Sequence, residues 1–229
     1  MNSGNYTNFF DGQPQHLEIS YEANDFKVKS GAAFDFQDFL KRSFDIIGAL
    51  TAIVIFTIPC LVIALLIYLE DKGNPIFSQQ RIGKGGRPFT LYKFRSMRVD
   101  SEKNGIPALC ADHDDRLTRV GNFIRSHHLD ELPQLWNVLI GDMSFVGYRP
   151  ERKYFIDQIC SHDRRYIHLF AIRPGLFSEA TLYNGYTDTM EKMLIRLNMD
   201  LNYLKRRSLL LDIKIIYMTT ISIISGKEF

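Results

Sequence analysis

An uncharged apolar segment, residues 46–69, limits the folds that this chain can adopt. A straight helix of that length would measure about 36 Å, enough to cross a hydrocarbon core of about 30 Å. Pro59 lies in the middle of the segment and lacks a backbone donor, so we expect a kink or a break there. The segment therefore predicts a membrane helix that either spans the bilayer or enters and leaves on one face.

Both flanks of this segment are basic, so charge asymmetry does not decide between a spanning and a re-entrant helix. Lys41 and Arg42 precede the segment and Lys72 follows it. A spanning helix would carry one basic flank to the far side, so the residues favour re-entry and leave spanning as the alternative. A buried hairpin of a soluble protein fits the length and hydrophobicity less well.

Composition limits the class of protein. A chain of 229 residues with 45% apolar content can form one core and a membrane anchor, and a net charge of +2 does not call for nucleic acid as a partner. The three cysteines form no CxxC pair, which is typical of reduced thiols in a cytoplasmic compartment. We expect a polar tail over 1–38, a membrane helix-break-helix over 39–72 and a cytoplasmic domain over 73–229.

A small β-hairpin is predicted directly after the membrane segment. Residues 76–82 and 88–94 are rich in strand-forming residues and flank a Gly-Lys-Gly-Gly turn, which lacks the pattern of a nucleotide-binding P-loop. Lys93 and Arg95 share one face of the second strand. The stretch from Lys72 to Val99 has seven basic and no acidic residues, so it fits either a solvated surface or a surface that binds phosphates and anionic head groups.

Residues 111–128 predict a second helix and raise the question of a metal site. Asp114 or Asp115 can cap a helix whose apolar positions include Leu117, Val120 and Ile124. A metal site over 112–114 is the alternative, but consecutive residues rarely converge on one ion. The pair at 127–128 lacks further zinc ligands at helical spacing.

Two adjacent carboxylates, Asp130 and Glu131, stand immediately before an amphipathic helix whose first turn contains Pro133. Helix N-termini favour carboxylates, phosphates and metal–phosphate complexes. Helix capping alone is the simpler interpretation of Asp130. Arg125 and Arg149 lie nearby in sequence and suit bidentate phosphate recognition, and they would keep a carboxylate ionised as a nucleophile or Mg²⁺ ligand.

The C-terminal third also fits a membrane-associated enzyme. Apolar residues recur at helical spacing between 190 and 204, with basic residues nearby. Residues 215–225 are uncharged but too short to span a bilayer. They predict either core packing or an amphipathic helix in the membrane interface.

Several long motifs occur in a defined order, and together they resemble a known family. They are KRSFDIIGAL, the proline-broken segment, RIGKGGRPFTLYKFRSM, DDRLTRVGNFIR, LDELPQLWNVLIGDMSFVGYRP and SLLLDIKI. Over residues 39–224 the chain is similar to the bacterial monotopic phosphoglycosyl transferases, in their small form with a minimal catalytic domain. The implied fold is a mostly helical α/β membrane-associated domain with a re-entrant helix, a small β-hairpin and interfacial amphipathic helices.

The resemblance implies transfer of a sugar 1-phosphate from a UDP-sugar to undecaprenyl phosphate, with release of UMP, as the first membrane step of capsule, exopolysaccharide or glycoconjugate assembly. By the match of motifs, Asp130 is the nucleophile and forms an aspartyl phosphosugar, and Asp130 and Glu131 lie near Mg²⁺. Basic positions of the same motifs would contact substrate phosphates: Lys93, Arg95, Arg125 and Arg149. Membrane lipids are further expected partners, and Pro59 is the expected break in a re-entrant helix on the cytoplasmic face of the inner membrane.

The chain departs from the family pattern at His128, where Ser or Thr is common, and at Tyr148, where the pattern has proline. After Arg173 the usual Thr-Gly-Trp pattern is replaced, so the sugar and the glycan pathway stay open. The oligomeric state stays open as well, a homodimer included. A second class of function is a non-catalytic, membrane-anchored adaptor that binds nucleotide-sugars in a glycan-assembly complex.

Overall fold

The computed structural model describes residues 32–98, 115–184 and 189–225 and is mostly helical. Its first element, α1, runs from Ala32 to Asp71 as one helix with Pro59 inside it. The helix therefore starts before the predicted position 39, and the predicted break at Pro59 is not a gap in the helix. One proline removes a single intrahelical hydrogen bond, which is compatible with a helix that continues on both sides.

The middle of α1 exposes its apolar side chains. Val54 and Ile58 are 75% and 74% exposed, whereas Ala49, Ile63 and Ile67 nearer the ends are buried. Within the described residues, α1 is the helix with the length and hydropathy needed to cross a membrane, and only 11% of its most apolar window is buried. This exposed apolar surface requires an apolar environment.

Both ends of α1 contact the same domain. Near the start, the guanidinium of Arg42 donates to the carbonyls of Val138 and Leu139, at 2.7 Å each. Near the end, the carboxylate of Glu70 accepts hydrogen bonds from the N–H groups at 119 and 120, at 2.8 and 3.1 Å. The chain between these anchors would measure about 42 Å as a straight helix.

The predicted hairpin is confirmed. Strands β1 (Ile76–Ile82) and β2 (Pro88–Phe94) are antiparallel, with Ile76 opposite Phe94. A 3-10 turn, Lys84–Gly86, joins them, and its glycines at 85 and 86 have the positive φ angles that favour glycine. The hairpin ends at β2, whose last residues face the turn that carries Asp130 and Glu131.

The rest of the domain alternates short helices with a second, parallel pair of strands. In chain order the elements are α2 (Arg119–Ser126), a 3-10 turn (Leu129–Glu131), α3 (Gln134–Ile140), β3 (Ser144–Val146), α4 (Lys153–His162), a 3-10 segment (Arg164–Ala171), β4 (Gly175–Phe177), α5 (Glu179–Asn184), α6 (Met190–Arg206) and α7 (Leu209–Ile224). Strands β3 and β4 pair in parallel. They approach so closely that a Cβ on Gly175 would lie 2.0 Å from the nitrogen of Gly147.

The main core lies between α4, α6, the 3-10 segment Arg164–Ala171 and the chain after β3. The helical spacing predicted between 190 and 204 is confirmed by α6, whose Leu197, Leu201 and Leu204 are buried there. In helix α7, Ile215 is buried in this core, as the core-packing alternative for its region predicts, and Tyr217 is exposed; the interfacial role of the helix stays a prediction.

Helix α2 corrects one prediction. Its N-cap is Thr118, whose hydroxyl accepts from the N–H of Gly121, and Asp115 lies in the preceding turn. Glu70 of α1 accepts hydrogen bonds from the first two N–H groups of α2. A carboxylate that is distant in sequence therefore binds the N-terminus of this helix, where an aspartate next to the helix was predicted to do so. The alternative cap Asp114 and the considered metal site at 112–114 lie outside the described residues.

Candidate active site

The dyad, defined here as Asp130 and Glu131, lies on the 3-10 turn between α2 and α3. His128 has a left-handed backbone conformation, with φ of 54°, and its carbonyl accepts from the N–H of Glu131. A left-handed non-glycine residue costs free energy, and such residues cluster at functional sites. The turn buries both side chains of the dyad, which expose 11% and 12% of their surfaces.

Two cations bind one oxygen of Glu131. The ammonium of Lys93, on β2, lies 2.6 Å from Oε1, and Nη2 of Arg149 lies 2.9 Å from the same atom. Burial opposes ionisation of Glu131, but Lys93 and Arg149 outweigh it and lower the pKa of this carboxyl below its ordinary value. Glu131 is therefore the member of the dyad that is ionised at neutral pH.

Asp130 differs from its neighbour. The ammonium of Lys93 lies 3.9 Å from its Oδ2, beyond hydrogen-bond distance. Burial raises the pKa of Asp130 to about 6, against the lowering effect of Lys93 and with a further rise from the charge of Glu131. Desolvation therefore outweighs the nearby cations and weakens the ionisation of Asp130. At pH 7 and above the ionised form still predominates.

The loop that carries Arg149 is anchored on both sides. Tyr148 is fully buried, and its ring contacts Phe170 edge-on at 6.4 Å between centroids. On the other side, the buried carboxylate of Glu151 binds the guanidinium groups of Arg81 and Arg196. The tyrosine at the position of the family's proline thus fixes this loop through core packing.

Arg125 is the basic residue that α2 contributes near the dyad. Its charge lowers the pKa of Asp130 from a distance. Close packing places α2, because a Cβ on Gly121 would lie 1.9 Å from the carbonyl oxygen of Ser96. A helix so near the end of the hairpin holds its cation at a defined position relative to the dyad.

The structure does not bring Arg95 to the dyad. Its Nη2 lies 3.8 Å from Oδ2 and 3.4 Å from the carbonyl oxygen of Asp71, at the end of α1. The phosphate contact expected for Arg95 from the sequence thus stays a prediction, while Lys93 and Arg149 lie on the dyad.

Sequence reasoning missed Asn137, which joins α3 to the hairpin. Its fully buried side chain accepts from the N–H of Tyr92 and donates to the carbonyl of Thr90. These two hydrogen bonds fix β2, and hence Lys93, against the helix that follows the dyad. The available signal was a polar residue inside the apolar helix of 134–140, although polarity alone does not reveal a partner.

The two carboxylates suit a magnesium ion. Within the described residues, no three His, Cys, Asp or Glu side chains come together as a metal-binding group, so the dyad offers two protein ligands at most. Mg²⁺ is commonly held by one or two carboxylates together with substrate phosphates. The donor set of the dyad fits that mode of binding.

Comparisons with known proteins identify the family of this chain. The family model described as bacterial sugar transferase matches residues 36–226. The chain is 43% identical over 188 residues to the UDP-N-acetylgalactosamine-undecaprenyl-phosphate N-acetylgalactosaminephosphotransferase of Aeromonas hydrophila, covering 82% of this chain and 44% of that protein. It is 39% identical over 182 residues to the UDP-glucose:undecaprenyl-phosphate glucose-1-phosphate transferase of Escherichia coli K12, covering 79% of this chain and 39% of that protein.

A third relative matches over most of its own length. The exopolysaccharide production protein PSS of Rhizobium leguminosarum bv. phaseoli is 37% identical over 201 residues, which cover 83% of this chain and 98% of that protein. The chain spans less than half the length of the first two relatives. The match of the family model over 36–226 includes most of α1, the hairpin and the dyad. On this ground the chain belongs to the bacterial sugar transferase family.

Proposed function

We propose that this chain transfers a sugar 1-phosphate from a UDP-sugar to undecaprenyl phosphate and releases UMP, as the first membrane step in assembly of a polysaccharide or glycoconjugate. The observation that carries the proposal is the buried dyad with Lys93 and Arg149 on Glu131. The names of the relatives support the substrate class, because they describe transfer of N-acetylgalactosamine phosphate or glucose 1-phosphate to undecaprenyl phosphate.

Asp130 acts as the nucleophile. One oxygen of its carboxylate attacks the phosphorus next to the sugar, and the bond from that phosphorus to the bridging oxygen breaks, so that UMP leaves. An oxygen of undecaprenyl phosphate then attacks the same phosphorus and expels the carboxylate of Asp130. This two-step exchange suits the carboxylate of Asp130, because the ammonium of Lys93 lies 3.9 Å from its Oδ2, too far for a hydrogen bond.

Glu131 holds the cations that serve the reaction. It fixes Lys93 and Arg149 beside Asp130, and these groups bind the phosphates of the donor together with Arg125. Preorganised cations stabilise the charge that develops on the transferred phosphoryl group without reorganisation during the reaction. The more exposed of the two partners of Glu131 is Arg149, which suits it to meet an incoming substrate.

The dyad also holds Mg²⁺ in this proposal, with Asp130 and Glu131 as its protein ligands. When bound, the ion supplies positive charge that neutralises the diphosphate of the donor and makes UMP a better leaving group. In this role Asp130 and Glu131 would hold the ion, and the substrate phosphates would supply further oxygen ligands, as is common for Mg²⁺.

We further propose that α1 is re-entrant and keeps the enzyme on the cytoplasmic face of the inner membrane, with Pro59 near the deepest point. The support is that Arg42 and Glu70, on opposite sides of the exposed apolar stretch, contact one domain. A spanning helix would place one of these anchors beyond a hydrocarbon core of about 30 Å, where the domain cannot reach it.

The test is UMP release by the protein in lipid nanodiscs, with Mg²⁺, undecaprenyl phosphate and a panel of UDP-sugars. We expect release with at least one sugar and loss of release in Asp130→Asn. Release that persists in Asp130→Asn would contradict the covalent mechanism. Folded protein that binds a UDP-sugar but releases no UMP across the panel would favour the adaptor.

A further inference from the structure

A second basic site lies away from the dyad, at the N-terminal end of α1. It is a shallow depression that opens to solvent above a cavity of about 20 Å³, between α1, the hairpin turn, β3 and the chain before β4. Five basic side chains line it: Lys41, Arg42, Lys84, Arg173 and Arg207. Neither the proposed reaction nor the dyad uses these residues.

The charges around this cavity do not cancel. Lys41 is paired with Asp212 at 2.5 Å, and Arg207 with Asp38 at 3.0 Å. The other three basic residues of the cavity face one further carboxylate of the lining, Asp45. Among the described residues, the cavity therefore carries an excess of about two positive charges, which a phosphate monoester would neutralise.

The guanidinium groups in the cavity are held in place by α3. Arg42 binds the carbonyls of Val138 and Leu139, and Nε of Arg173 donates to the carbonyl of Gly141 at 2.8 Å. Within the described residues, the terminal nitrogens of Arg173 and the ammonium of Lys84 make no hydrogen bond to the protein. Rigid arginines with donors to spare are the side chains that bind phosphate oxygens.

The cavity is distinct from the dyad because the two lie at opposite ends of α3. The dyad precedes Gln134, whereas the arginines of the cavity bind the last carbonyls of the helix, about 10 Å further along its axis. The uncharged segment of α1 starts at residue 46, directly after the lining residues of α1. Phe39 and Leu210, which are close in sequence to the lining residues Asp38 and Arg207, expose most of their apolar surface. The cavity thus lies where a membrane would place lipid phosphates.

We propose that this cavity binds a phosphate group, and that the group belongs to the head group of a membrane lipid. A phosphate monoester matches the charge, and the exposed apolar side chains next to the cavity match acyl or prenyl chains. Soluble phosphate shares the same chemistry and is the other source. The proposal concerns binding only, so it stands or falls without regard to UMP release.

The test is the thermal stability of the full chain in detergent micelles during titration with dioctanoyl phosphatidic acid, and separately with inorganic phosphate. Lys84→Gln and Lys84→Glu change the exposed cation of the cavity. Arg87→Gln is the matched control, because it removes an equal charge from the same hairpin turn outside the cavity lining. Arg149→Gln reports binding at the dyad, and circular dichroism of each variant reports folding.

We expect a saturable rise in Tm with phosphatidic acid in wild type, Arg87→Gln and Arg149→Gln. The concentration for half of the rise should increase at least tenfold in Lys84→Gln, and the rise should vanish in Lys84→Glu. An inorganic phosphate concentration at least 100-fold higher for the same rise would assign the site to a lipid. Equal potency of the two probes would overturn the assignment to a lipid. The site would be overturned if Tm showed no saturable rise, or if the Lys84 variants titrated like wild type. It would also be overturned if Arg149→Gln abolished the rise in Tm.

Discussion

The ammonium of Lys93 lies 2.6 Å from Oε1 of Glu131, with both side chains largely buried. This contact joins the end of the hairpin to the turn that carries the dyad. Because the same ammonium stands 3.9 Å from Oδ2 of the neighbouring Asp130, one cation serves two carboxylates with different properties. Lys93 forms a hydrogen-bonded ion pair with Glu131, whereas its charge acts on Asp130 without a hydrogen bond.

The first prediction concerns this cation. Lys93→Met should lower kcat/KM for UMP release about 100-fold, because loss of one preorganised charge at a developing negative charge costs on that order. Arg95→Met removes an equal charge two residues along the chain, from a side chain that pairs with Asp71, and should lower it less than tenfold. Equal losses in the two variants would show that Arg95 also contacts the substrate.

The second prediction concerns the cost of burying Asp130. Its pKa in the folded protein, about 6, exceeds the ordinary value of 3.8, so its contribution to stability is full below pH 4 and is lost as the pH rises through 6. Asp130→Asn should therefore raise the free energy of unfolding by about 2 kcal/mol at pH 8 and by little at pH 4. Thermal unfolding at the two pH values measures the difference.

Glu131→Gln is the opposite control within the dyad. The pKa of Glu131 is lowered in the folded protein, so its contribution is present above the ordinary value of 4.5 and is lost as the pH falls. This variant should be less stable than wild type at pH 8. A rise in Tm at pH 8 for both variants, or for neither, would contradict the division of roles within the dyad.

The third prediction concerns the metal. UMP release should stop when EDTA removes divalent cations and should return with added MgCl₂. Asn137→Asp removes the amide group that donates to the carbonyl of Thr90 and so disturbs the position of β2. Because Asn137 is not a proposed ligand of the ion, this variant should lower activity without changing the Mg²⁺ requirement. Glu131→Gln, in contrast, should raise the half-maximal Mg²⁺ concentration at least tenfold. Activity in EDTA equal to that in Mg²⁺ would exclude the ion from the proposal.

The fourth prediction concerns the topology of α1. Gln37 and Lys72 are exposed and lie on either side of the apolar stretch. In a chain whose natural cysteines are changed to serine, single cysteines at these two positions should react with a membrane-impermeant maleimide in inverted membrane vesicles. In right-side-out vesicles both should be protected. Reaction of only one position in each preparation would establish a spanning helix.

The features that the sequence predicts correctly are those set by local patterns. The hairpin has the predicted bounds because strand-forming runs and a glycine turn act over a few residues. Likewise, α6 begins at the first apolar residue of the predicted pattern, Met190. The dyad lies before a helix, as predicted from Pro133, although that helix starts at Gln134 after a separate 3-10 turn.

The features that the sequence misses depend on partners distant in the chain. The cap of α2 involves Glu70, nearly 50 residues earlier, and the parallel pair β3 and β4 has strands of only three residues. The pKa of Asp130 depends on burial, which no neighbour in sequence reveals. The different partners of Lys93 and Arg95 could not be predicted either. Two residues two apart share a face only while the strand continues, and β2 ends at Phe94, between them.

Glu70 gives α1 a role beyond attachment. Its carboxylate holds the first turn of α2, and α2 carries Arg125 toward the dyad. A shift of α1 caused by a thinner or more tightly packed bilayer would therefore be transmitted to an active-site cation through two hydrogen bonds. We expect the turnover of this enzyme to respond to the acyl-chain length of the surrounding lipids, with the membrane acting as part of its scaffold.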